Sequence, residues 1–148
     1  MSDLEKLRAW IATYPDFDIL GQLQCDFTDQ IPANGGIFPS GLMEIGRSED
    51  ILGNVTVENQ YNFGLYCVFE KSPGDDTGAT INADWVMGFQ RWVQEQSIRH
   101  LAPAFGNTDT GQEKILAQNG MMYETDNEGT AMYMIQLSVK FKYQYEVT

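Results

Sequence analysis

The chain has 148 residues, 21 acidic against 9 basic side chains, and a formal net charge of -12. That length suits one domain, 1–148, with a core large enough to fold without disulfides or metal, and the 43% hydrophobic content argues against a disordered chain. The charge excludes a broad nucleic-acid-binding surface, which needs Lys and Arg to displace counterions from phosphates, although an acidic channel that DNA passes without sticking is compatible with it.

In chain order, Ser2 and Glu5 fit a capping box, and Leu4, Leu7 and Ile11 follow at helical spacing. This first helix stops before Tyr14-Pro15, because a proline disfavours helix at the preceding residue. Ile19 to Phe27 alternates apolar and polar residues, the pattern of a half-buried strand. Asp29 to Gly41, with its prolines and glycines, reads as a loop. Ile37 and Phe38 are apolar for a loop tip, so they either fold onto the core or meet a partner. Leu42 to Ile45 reads as a short second strand and Arg47 to Gly53 as a polar turn.

Val55 to Glu70 alternates without a break, over more residues than most strands have. It either bends, with Gly64 the natural place, or is two strands in register. Lys71 to Thr80 reads as a loop, after which Asn82 is a candidate N-cap for a helix from Ala83 to Gln96. Trp85, Phe89, Trp92 and Val93 give that helix an apolar stripe, and Ser97 to Leu101 extends it towards Pro103. Gly106 to Gly111 is a polar loop, Lys114 to Tyr123 a strand and Thr125 to Gly129 a turn. In the last strand, Ala131 to Val147, the odd positions are apolar, and the even positions include Met132, Met134, Lys140 and Lys142. The two final strands form a long hairpin. Together these elements predict an α+β fold, a mainly antiparallel sheet with long hairpin strands and two helices packed on one face.

Chemistry is sparse. His100 is the lone histidine, and it follows Arg99 near a helix end, where a cation favours the helix dipole. Cys25 and Cys67 fall in alternating segments and read as buried thiols rather than metal ligands. Asp16-x-Asp18 and Asn107-x-Asp109-x-Gly111 miss the spacing of a calcium loop, and Asp75-Asp76 reads as a solvated loop. There is no phosphate-binding glycine motif and no nucleophile elbow. The expectation is therefore a non-enzyme with no catalytic, cofactor or metal residues and no cofactor. Met1 to Arg8 carries no apolar signal-peptide core and no stretch reaches ~20 apolar residues, so a cytoplasmic protein with no membrane partner is expected. The sequon at Asn54-Val55-Thr56 then has little meaning.

What remains is interaction. Lys140 and Lys142 on the polar face of the last strand either guard a strand edge or meet acidic surface on a neighbouring copy. With Met132 and Met134 beside them, and Ile37 and Phe38, they are the candidate subunit-interface residues. Three stretches carry a resemblance: Asn59 to Tyr66, the helix running from Asn82-Ala83-Asp84-Trp85 to Gln90-Arg91-Trp92-Val93, and Met132 to Tyr143. With the N-terminal helix, this pattern resembles the minor capsid and tail-terminator type of protein of long-tailed bacteriophages, over most of the chain.

The resemblance implies an α+β sheet with helices packed on it and a structural subunit of a phage or prophage virion. Such subunits form a ring, usually a hexamer, that ends the tail tube and joins it to the head. Implied partners are further copies, the tail tube and the head-completion proteins, with DNA passing through unbound. Implied contact loops are Asp29–Gly41 and Lys71–Thr80. The implied locations are the virion and, during assembly, the host bacterial cytoplasm. Competing expectations are another tail component (tube, adaptor or baseplate), a small-ligand or carbohydrate-binding module, and an enzyme using paired carboxylates.

Overall fold

The computed structural model describes residues 2–15, 22–25, 34–70, 76–108, 110–125 and 130–146. The elements are α1 (Asp3–Ile11), β1 (Gln22–Cys25), β2 (Asn34–Glu49), β3 (Val55–Glu70), α2 (Asp76–Ile98), a 3-10 turn (Thr110–Gln112), β4 (Lys114–Thr125) and β5 (Thr130–Tyr145). One five-stranded sheet runs β1-β2-β3-β5-β4. All its pairings are antiparallel except β1 with β2. The fold class is α+β.

The capping box forms as the sequence dictates. Glu5 N donates to Ser2 Oγ at 3.2 Å, and Ser2 N donates to Glu5 Oε2 at 3.3 Å. Each bond satisfies an amide that the helix cannot. β3 is one unbroken strand: its register with β5 runs without a shift from Val55↔Tyr145 to Glu70↔Thr130. Gly64 therefore neither ends nor splits it.

Alternation sorts the side chains. Phe63, Leu65 and Cys67 of β3, Ile135, Leu137, Val139 and Phe141 of β5, and Ile115 of β4 are all buried. They form one apolar cluster with Leu7, Trp10, Ile11 and Tyr14 from the α1 region and Trp85, Val86, Phe89 and Val93 of α2. The rings interlock: Trp10 stacks on Trp92 at 4.6 Å, and Tyr14 meets Trp85 and Phe89 edge-on, each at 5.4 Å. Such geometry is worth about 0.5–1.5 kcal/mol per pair beyond the buried area. The helices thus pack on one face of the sheet.

Several boundaries differ from the sequence reading. α2 begins at Asp76, so residues 76–80 are helix rather than loop and Asn82 lies inside the helix rather than capping it. Gly78, Thr80 and Asn82 are weak helix formers, and intrinsic propensity is easily overridden by tertiary context. The expected loop at Asp29–Gly41 is strand from Asn34 onward, and Arg47–Glu49 also belong to β2. Pro39 and the glycines read as loop, but β2 is bulged there: its register with β3 shifts between Pro39 and Gly41, and Gly41 has φ 133°. A bulge accommodates both the missing amide of proline and a positive φ.

Of the strand expected over Ile19–Phe27, the described residues hold Gln22–Cys25. Residues 71–75 and 126–129, in the expected loop and the last turn, lie outside the described set, as do Asp16, Asp18 and Asp109.

A candidate interaction surface on the open face and its hairpin

The helices cover one face of the sheet, and the even positions of β3 and β5 form the other. There Ser138 Oγ and Gln60 Nε2 both donate to Asn62 Oδ1 at 2.9 Å. Phe38 meets Tyr66 edge-on at 5.0 Å. Between these groups Gly64, paired with Phe38 and Gln136, leaves a gap in the side-chain layer. A Cβ on Gly64 would lie 3.2 Å from Tyr66 Cε2. The result is a shallow hollow of about 400 Å³, lined by Phe38, Gln60, Asn62, Tyr66, Gln118 and Met134 among others.

Farther along the same face lies a second hollow of about 290 Å³, lined by Glu58, Gln112, Glu113, Lys114, Lys140, Phe141 and Lys142. Lys114 and Lys140 are directly opposite each other across β4 and β5. Like charges in that relation destabilise a sheet. Among the described residues no carboxylate lies within ion-pairing distance of any of the three lysines. The nearest acidic position in register is Glu58, opposite Lys142. Edge protection does not explain Lys140, because β5 is an interior strand flanked there by β3 and β4.

The interface candidates therefore separate. Met134, Lys140, Lys142 and Phe38 lie on the open face. Ile37 does not: its side chain is 0% exposed in the core cluster. Ile37 is a strand residue and not a loop tip, and its neighbour Phe38 takes the opposite face because the pleat has period two. Met132 occupies the β5 position opposite Val68, and its side chain lies outside the described residues.

Sequence reading missed a third feature. β1 pairs with β2 only as far as Ile37, and among the described residues no strand borders the edge of β2 away from β3 beyond it. The β2–β3 hairpin from there to its turn carries exposed Leu42, Met43 and Ile45, with Ile51 (101% exposed) and Leu52 (70%) at the tip. The tip is well built nonetheless. Asp50 Oδ1 accepts from the amides of Leu52 at 2.9 Å and Asn54 at 3.0 Å, and these bonds hold its carboxyl below the ordinary value. Arg47 makes a two-pronged bond to Glu44, at 2.7 and 3.2 Å. The signal was present in the sequence: Leu42, Met43 and Ile45 break the alternation, and Ile51-Leu52 interrupts a polar turn.

A latch fixes the sheet end beside the lysine hollow. Buried Glu113 accepts from the amides of Phe105 at 2.9 Å and Gly106 at 2.7 Å. Burial outweighs these bonds and raises its carboxyl above the ordinary value. Gly106 packs against the Lys142 carbonyl so closely that a Cβ would collide with it. Asn107 mimics a strand neighbour, donating to Gln144 O at 2.9 Å and accepting from Gln144 N at 2.7 Å. The loop so covers the part of β5 that β4 does not reach, which removes an open edge.

The remaining candidates have structural settings. His100 is exposed, with φ 59°. Its amide donates to Ser97 O at 3.2 Å and that of Leu101 to Gln96 O at 2.9 Å, the Schellman end of α2 with histidine where glycine is usual. Cys67 is a fully buried free thiol, and burial pushes its pKa up, which suppresses the reactive thiolate. Cys25 lies opposite Ile37 in β1, its side chain outside the described set. Among the described residues no three His, Cys, Asp or Glu side chains group as a metal site, and no helix is long and apolar enough to cross a membrane. No family model matches the chain, and no curated protein matches it.

Proposed function

We propose that this protein is a structural subunit of a bacteriophage or prophage virion, a tail-terminator or minor capsid protein that forms a ring at the head-tail junction. The observation that supports this reading is the pairing of an open sheet face with a hairpin whose apolar side chains are exposed among the described residues. Exposed apolar groups in such a cluster mark interaction sites. A head-to-tail contact between different patches on successive copies closes into a ring when the rotation closes. The net charge of -12 keeps the free subunit soluble and suits a lumen through which DNA slides without sticking.

The test is immunogold electron microscopy of particles purified after infection or induction. Label confined to the neck is the expected result. Label along the tail or at its tip would move the protein to another tail part. Its absence from intact particles, with the protein plainly expressed, would overturn the reading. The amide-lined hollow beside Phe38 and Tyr66 favours a second reading, a small-ligand or carbohydrate module. A stable monomer whose melting temperature rises with one member of a sugar panel would support it instead.

A further inference from the structure

The lysine hollow and the hairpin tip are complementary in charge and both open to solvent. Three of the nine basic residues of a chain with net charge -12 border one hollow, beside the carboxylates of Glu58 and Glu113, and two of the three stand directly opposite each other. The lysines outnumber the carboxylates there, and Glu113 is taken up by backbone amides, so an anionic occupant would relieve the facing pair. The tip offers what fits: exposed Ile51 and Leu52 next to Glu49 and Asp50. It cannot fill the hollow of its own chain. The hollow lies at Glu58 and Lys142, and the hairpin runs on from there to its turn, roughly 13 Å farther at ~3.3 Å per residue.

We propose that the β2–β3 hairpin tip of one copy seats in the hollow bordered by Lys114, Lys140 and Lys142 of the next, with Glu49 and Asp50 facing the lysines and Ile51 and Leu52 covered between the copies. This rests on the self-association in the ring reading and specifies its contact. The contact is heterologous, so each copy offers one tip and one hollow. A nucleic acid is the weaker occupant, because the acidic chain around the hollow repels a polyanion, whereas a short carboxylate-bearing tip is met by the lysines first.

The experiment places cysteines at both ends of the contact. The full chain carries Ser48→Cys beside the tip and Gln112→Cys at the rim of the hollow, both exposed, with Cys25→Ser to remove a competing thiol, and buried Cys67 is kept. A short bismaleimide is applied to concentrated protein and to particles that have incorporated it. The expected result is a ladder of linked oligomers that disappears when Gln112→Cys is replaced by Ile98→Cys, an exposed site on α2. Melting curves matching the parent exclude misfolding. As a second measurement, Lys140→Glu with Lys142→Glu should abolish incorporation or weaken self-association at least tenfold, and adding Glu49→Lys should restore part of it.

Protein present at the neck without the ladder would overturn the proposal and leave the virion reading standing. A ladder in solution with no protein on particles would do the reverse. Duplex DNA retained by the parent and released by the two glutamates, without a ladder, would assign the lysines to nucleic acid and overturn the proposal.

Discussion

The two halves of β2 are both rich in apolar residues, yet they have opposite fates. In the first half Ile37 is fully enclosed by the helix-covered core; in the second, Leu42, Met43 and Ile45 stand in solvent. Hydrophobicity does not separate them. What differs is the cover: α1 and α2 lie over one part of the sheet, while the hairpin runs on past it. The covered region is a folding core, and the uncovered one is a surface whose apolar area becomes useful only against another molecule.

The most disruptive way to test this contrast is to cut into each region in turn. Phe89→Ala removes a fully buried ring from the aromatic cluster and should cost about 3–5 kcal/mol. Ile51→Ser with Leu52→Ser should stay within about 0.5 kcal/mol of the parent in urea unfolding while abolishing incorporation into particles. A large stability loss from the tip pair would erase the distinction.

The latch is intermediate. Glu113→Ala leaves the amides of Phe105 and Gly106 without their acceptor, at about 1–3 kcal/mol for the buried Phe105 amide and less for the half-buried Gly106. Denaturation midpoints of this variant would read that loss.

The same residue gives a pH prediction. Its folded pKa is raised, so between the ordinary carboxylate value and the raised one the folded state binds more protons than the unfolded. Stability from this group is therefore fully present below the ordinary value and falls as pH rises through that window. Subtracting the stability-pH curve of Glu113→Gln from that of the parent should give a difference that declines with rising pH. A difference that grows would contradict the burial argument.

Smaller effects sharpen the contrast. Replacing His100 with glycine relieves a left-handed residue at the helix end and should add up to about 1 kcal/mol, with no effect on assembly. Lys140→Gln separates the facing lysines and should add about 0.2–1 kcal/mol to the monomer, yet weaken assembly. Opposite signs in thermal melting and particle incorporation for that one substitution would show that the hollow is maintained for a partner.

Much of the covered region was legible. The alternation from Val55 to Glu70 and from Ala131 onward marked the inward side chains, because period two is a direct consequence of the pleat. Trp85, Phe89 and Val93 at helical spacing located the face of α2. The open region was legible only in part. Lys140 and Lys142 declared themselves by charge, but Lys114 joined them through the β4–β5 register, which a local reading does not contain. Ile37 was ambiguous because Pro39 and the glycines read as loop, and only pairing with β3 turns that segment into strand. The first turns of α2 were hidden for the same reason: weak local preference set by distant context.

The central claim is that the hairpin is bare in the free protein and covered in the assembly. Hydrogen-deuterium exchange of the free subunit and of the subunit in purified particles tests it directly. The account predicts that the outer-edge amides of β2 beyond Ile37, those not bonded to β3, exchange fast in the free protein and at least tenfold more slowly in particles, while those of Phe63 to Cys67 and Ile135 to Val139 are slow in both. Equal exchange of the hairpin in the two states would contradict it.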